Sequence, residues 1–148
     1  MSGNGFLLDT NVLSELMRER PDTQVIAWFS RHEQATMHIS SVIQAEILTG
    51  IALLPAGKRR MALALAAEHM FEQDFAVHCH GFDTAAAKNY ALIVAARVRQ
   101  GKPISTEDAQ IAAIALAAGL VVATRNTKDF DNIDGLAVAN PWEKPSNF

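Results

Sequence analysis

Phe6-Leu7-Leu8-Asp9-Thr10-Asn11-Val12-Leu13 reads as an apolar strand that stops on a carboxylate, with a helix starting almost at once. A strand apolar on both faces belongs to a parallel sheet covered by helices on each side. In such sheets ligands bind outside the carboxyl ends of the strands. Asp9 is therefore expected where an ion or a phosphate would sit. Asn11 is expected to cap the following helix, its side-chain oxygen meeting free backbone N–H groups.

Outward from that segment, strands and helices alternate. Pro21-Asp22-Thr23 punctuates, Gln24–Arg31 reads as a short helix and Ala35–Ile39 as the next strand. Ser41-Val42-Ile43-Gln44 matches a capping box and opens a helix to about Leu54, before Pro55-Ala56-Gly57 breaks the chain. The alanine-rich stretch Lys58–Glu72 is a helix by propensity. Phe75–His78 is expected to be a strand, and Asp83 to cap a helix ending near Gln100 with Gly101 as its left-handed stop. Ser105 or Thr106 caps Glu107–Ala118, which Gly119 ends. Leu120–Ala123 reads as a buried strand, Thr127–Phe130 as one turn and Gly135–Ala139 as a late edge strand. The expected class is α/β, with a central, mostly parallel sheet flanked by helices in three layers.

Acidic residues recur at the ends of these elements. Glu46 shares a helix stripe with Val42 and Gly50, beside the apolar Ile43 and Ile47. Asp108 lies in the first turn of an almost wholly alanine and isoleucine helix, whose head is expected to open into the sheet crevice. Thr124-Arg125-Asn126-Thr127-Lys128-Asp129 follows the last buried strand as Thr10-Asn11 follows the first. Each has an ordinary alternative: a solvated rim glutamate, an aspartate favoured by the helix dipole, a turn closed by side-chain hydrogen bonds. Together they crowd like charges, which a divalent cation would relieve. Oxygen-only ligands select Mg2+ or Mn2+ over zinc, and the chemistry implied is metal-assisted phosphodiester hydrolysis.

The bulk numbers restrict the rest. At 148 residues and 49% apolar content the chain is expected to form one domain with one core. A net charge of −3 provides no basic field for indiscriminate nucleic-acid binding. The single cysteine, Cys79, excludes an internal disulfide and fits a reducing compartment. Residues 1–5 carry no basic run, no stretch looks like a membrane span, and the chain is read as cytoplasmic. His78-Cys79-His80 is set aside as a metal site for want of further spaced ligands. Lys58-Arg59-Arg60 and Arg97, Arg99 and Lys102 are read as solvated charge that could touch RNA or an acidic partner. Met61, Met70, Phe71 and Phe75 are assigned to the core or an interface.

Taken in order, these segments resemble the PIN-domain ribonucleases, in particular VapC-type toxins and their FitB-like branch. Leu7–Leu13 is similar to the opening motif with Asp9 as first metal ligand. Ser40–Ile47 with Gly50 resembles the second, carrying Glu46, and Asp108–Ala113 the third, with Asp108 as ligand. Val122–Asn126 through Asp129-Phe130 resembles the fourth, and Asn140-Pro141-Trp142 the terminal signature. One departure stands out: Asn126 occupies a position that is often acidic, with Asp129 three residues on. The resemblance implies a single PIN domain over residues 1–148 and Mg2+-dependent cleavage of RNA. It also implies restraint by a cognate antitoxin, homodimerisation, and contact with operator DNA only through the antitoxin. Asp9 and Asp108 would be the main ligands, and Glu46 a ligand or a base orienting water. Asn126 and Asp129 would complete the site, Thr124 would support it by hydrogen bonding, and Arg125 and Lys128 could meet phosphate.

Two other classes compete. An aspartyl-phosphate phosphatase usually wants a second acid two residues after the first, where this chain has Asn11. A non-catalytic binding module on the same fold draws its support from Asn126 alone.

Overall fold

The computed structural model describes residues 5–76 and 78–145. Five strands, β1 (Gly5–Leu8), β2 (Thr36–Ser40), β3 (Cys79–His80), β4 (Val121–Ala123) and β5 (Val138–Ala139), form one sheet in the order β3-β2-β1-β4-β5. Every pairing is parallel. Six α-helices connect them: α1 (Thr10–Leu16), α2 (Thr23–Arg31), α3 (Ser41–Ala52), α4 (Lys58–His69), α5 (Thr84–Arg99) and α6 (Thr106–Ala118). The chain builds outward from β1 through β2 to β3, then crosses back to lay β4 on the other side of β1. That reversal opens a crevice at the carboxyl ends of β1 and β4, the usual ligand position in an open parallel sheet.

The core gathers on β1 and its neighbours. Leu7, Leu8, Val12, Leu13, Ile39 and Ile43 are buried there. Helix α6 is buried at Ala109 and from Ile111 through Ala115, because its alanines let neighbouring backbone approach closely; its most extensive partner is α5. Gly119 ends α6 with a left-handed φ of 68°, a conformation open to glycine at little steric cost. Gly5 sits in tight space instead: a Cβ there would lie 2.5 Å from Leu120 Cδ2, so the end of that side chain would have to move aside.

Several local readings are corrected. Helix α1 starts two residues early, at Thr10 rather than after Asn11, because the Asp9 carboxylate itself accepts the Thr10 N–H. Asn11 therefore lies inside the first turn rather than capping it. Helix α3 is capped by Ser40, whose hydroxyl accepts the Ile43 N–H at 3.1 Å, so the capping box at Ser41 is out of register. Helix α4 ends at His69 and widens into a π turn over Met70–Asp74, closed by Phe75 N–H on the Met70 carbonyl at 3.1 Å. The wider turn buries Met70, Phe71 and Phe75 together, whereas Met61 is 67% exposed. The strand expected at Phe75–His78 begins four residues later, as the two-residue Cys79–His80; Val77 lies outside the described residues. No described helix is long and apolar enough to cross a membrane.

Candidate active site

Asp9 leaves the end of β1 with its backbone fixed, because its N–H donates to the Ala123 carbonyl of β4 at 2.9 Å. Its side chain is 7% exposed and hydrogen-bonded on both oxygens. Oδ1 accepts Thr10 N–H at 2.8 Å, and Oδ2 accepts the Thr124 hydroxyl at 2.7 Å and the Asn11 amide at 3.3 Å. Thr124, fully buried just after β4, also accepts the Asn126 N–H at 3.0 Å. Asn11 closes the joint from the other side, its carbonyl oxygen accepting the Arg125 N–H at 3.1 Å. Burial raises the Asp9 pKa above the ordinary carboxylate value, and the Glu46 charge adds to that. Hydrogen bonds from Thr124, Thr10 and Asn11 pull in the opposite direction.

The other acids arrive on separate elements. Glu46 is exposed on α3, and its carboxylate accepts the Thr10 hydroxyl, one residue from Asp9. Asp108 is half-buried in the first turn of α6, where Ser105 caps its N–H at 3.1 Å. Burial pushes its pKa up to about 6, Ser105 opposes the shift, and the charges of Asp9, Asp129 and Glu107 reinforce it. Asp129 is exposed on the 3-10 turn Thr127–Phe130. These mutual repulsions mark Asp9 as a neighbour of Glu46, and Asp108 as a neighbour of both Asp9 and Asp129. Asn126 is exposed at the start of that turn, and Lys128 is exposed on it. The Arg125 guanidinium lies 4.9 Å from the centre of the Trp142 ring, a cation–π contact.

The donor set suits a hard dication. Among the described residues the only salt bridge joins Arg18 to Glu15, so no bound arginine or lysine neutralises these carboxylates. No three acidic, imidazole or thiol side chains among the described residues form a ready-made cage. Mg2+ does not require one, since it keeps several waters and takes one or two carboxylates plus substrate phosphate. A cavity of about 750 Å3 between α1, α3 and α4 meets the site through Thr10 and Glu46 and is also lined by Arg18 and Arg59.

Three features escaped the sequence. Thr10 and Asn11 tie Asp9 to Glu46 and to the Arg125 backbone; the polar run directly after a buried strand was the available signal. Arg97, read as surface charge, is buried at 7% exposure. It falls on the same helical stripe as Ala86 and Ile93, both buried, and that spacing could have revealed it. His38 of β2 joins His78 and His80, its Nδ1 lying 2.9 Å from His80 Nε2 and its ring 4.5 Å from that of His78 between centroids.

Comparison with known proteins identifies the family and the fold. The PIN domain family matches residues 6–136. Plasmid stability protein StbB of Pseudomonas syringae pv. tomato is 43% identical over 93% of this chain and 98% of that protein. VapC ribonuclease Y4jK of Sinorhizobium fredii is 40% identical over 93% and 97%, and Toxin FitB of Neisseria gonorrhoeae 39% over 92% and 97%. Among solved structures, FitAB bound to an IR36 DNA fragment superposes with a TM-score of 0.86 at 36% identity, covering 97% of this chain and 99% of that one. FitAcB from Neisseria gonorrhoeae gives 0.80 at 38% identity, covering 94% and 99%. The chain belongs to the PIN-domain family, within the branch that contains VapC and FitB.

Proposed function

We propose that this chain is a Mg2+- or Mn2+-dependent endoribonuclease, the toxin of a toxin–antitoxin pair. The observation that carries the reading is the chain of neighbouring acids at the carboxyl ends of β1 and β4, in which Glu46 acts on Asp9, and Asp9 and Asp129 act on Asp108. Relatives named as a VapC ribonuclease and as a toxin support it. When bound, the dication would activate water and stabilise charge developing on the scissile phosphate. Asp9 and Asp108 hold it, Asp9 in fixed orientation through Thr124, Thr10 and Asn11. Glu46, exposed and oriented by the Thr10 hydroxyl, takes the proton of the attacking water. Asp129 and Asn126 complete the site, and Arg125 and Lys128 meet the flanking phosphates. The partners are RNA, a cognate antitoxin and a second copy of the chain. Operator DNA is reached through the antitoxin, and the setting is the cytoplasm.

The test is cleavage of defined RNAs by purified protein with Mg2+, beside the Asp9→Asn/Asp108→Asn double variant. Cleavage confined to the parent protein and abolished by chelation is expected. Undiminished cleavage by a folded double variant would falsify the reading. Metal binding without cleavage of any RNA would leave a binding module instead.

A further inference from the structure

Arg97 is the one buried arginine or lysine among the described residues, and it has no carboxylate partner. Its Nη2 donates to the carbonyl oxygens of Asp129 at 3.0 Å and Asp131 at 2.7 Å, and Nη1 reaches the Lys102 carbonyl at 3.5 Å. Its Nε has no partner at all. A charge buried on these terms is poor economy for stability, which a well-packed apolar side chain would serve as well or better. What the guanidinium does achieve is specific. It grips backbone on both sides of Phe130, itself buried at 1% exposure, and thereby fixes the turn that carries Asp129. It also holds the Lys102 backbone in the loop that leads into α6 and Asp108. Because it binds main-chain carbonyls, the Asp129 carboxylate is left free to face Asp108, whose charge repels it.

Resting on the ribonuclease reading above, the geometry points to Arg97 as a positioning residue that holds Asp129 against Asp108 so that the two can share one dication. A lysine at 97 keeps the charge but lacks the planar fork that spans several carbonyls at once.

The experiment compares wild type, Arg97→Lys and Arg97→Met, each alone and combined with Asp129→Asn. Mn2+ affinity is measured by calorimetry, amide hydrogen exchange by NMR, and thermal melting in chelator. Arg97→Lys is expected to weaken Mn2+ binding by about 10-fold or more, in the range found when supporting groups behind metal ligands are removed. It should also speed exchange at the Asp129 and Asp131 amides while sparing the Thr124 amide between β4 and β5. In the Asp129→Asn chain the same change should cost no further affinity. Arg97→Met, which preserves packing, serves if the lysine variant does not fold. Wild-type affinity in a folded Arg97 variant overturns this role alone, as does an equal additional loss in the Asp129→Asn chain. Absence of Mn2+ binding by the wild type overturns the metal reading and this role with it. Loss of fold in both variants overturns the role by making Arg97 a folding residue.

Discussion

Asp9 and Asp129 carry the same functional group at two sides of one crevice, yet the protein treats them in opposite ways. Asp9 is sealed into the β1–β4 joint, with both oxygens hydrogen-bonded and its backbone locked to Ala123. Asp129 is exposed on a single 3-10 turn, and its position is governed by what grips the backbone beneath it. Glu46, exposed, and Asp108, half-buried, side with Asp129, each on a helix whose packing sets its reach. The difference teaches that the site has a rigid half, where burial has already been imposed on a charge, and an adjustable half that solvent and ligands can reach.

The strongest way to break that contrast is Asp9→Asn. RNA cleavage should fall by about a thousandfold or more, some 4 kcal/mol of transition-state stabilisation. Thermal melting of the metal-free variant should meanwhile equal or exceed that of the parent, because burial disfavours the ionised carboxylate. A metal-free chain that melts much lower would show Asp9 to be structural.

Thr124→Val sharpens the same half of the comparison. It removes the 2.7 Å hydrogen bond that lowers the Asp9 pKa and orients its carboxylate. Metal affinity and cleavage should drop roughly 10–100-fold, measured by calorimetry and single-turnover cleavage, with Asp9 protonating at still higher pH.

A pH series tests the adjustable half through Asp108. Its folded-state pKa of about 6 lies above the ordinary 3.8, so between those values the native state binds more protons than the unfolded chain. Metal-free stability should therefore fall as pH rises from about 4 through 6, by on the order of 1–2 kcal/mol after screening by adjacent solvent. Saturating Mg2+ should flatten or reverse that slope, since the cation favours the ionised form. Chemical denaturation at successive pH values, with and without metal, reads both. A flat metal-free profile would mean that neither burial nor the neighbouring acids raise the Asp108 pKa.

The smallest effect belongs to Thr10→Val, which frees Glu46 from its hydroxyl partner while leaving the Asp9 contacts through the Thr10 backbone intact. Stability should change by about 0.5–1.5 kcal/mol and cleavage by a few fold. A loss as large as that of Thr124→Val would place Glu46 in the rigid half.

Much of this was legible in the sequence where one physical rule dominated. The apolar run before Asp9, the alanine-rich α6 and the glycine stop at Gly119 each follow from burial or backbone freedom alone. The alternation of strands and helices along the chain, and a mostly parallel sheet between helices, could be read from them. Rules that compete within one or two residues were harder. Asp9 displaced Asn11 as the cap of α1 because its carboxylate was already beside the free N–H. Ser40 likewise displaced Ser41 at α3. The π turn after α4 moved the next strand because burying three large side chains outweighed regular helix geometry. Arg97 was misread because charge in a sequence argues for solvent, whereas the carbonyl acceptors of Asp129 and Asp131, far along the chain, become visible only once it is folded.

The borders of the sheet carry a consequence of their own. Both outer strands, β3 and β5, are only two residues long. A long bare border would invite another chain to add itself through backbone hydrogen bonds, the first step towards fibrillar stacking. Two residues offer too few unpaired donors and acceptors to seed such growth. The molecule can therefore leave a catalytic mouth open at one end of its sheet without turning the sides into a template for aggregation.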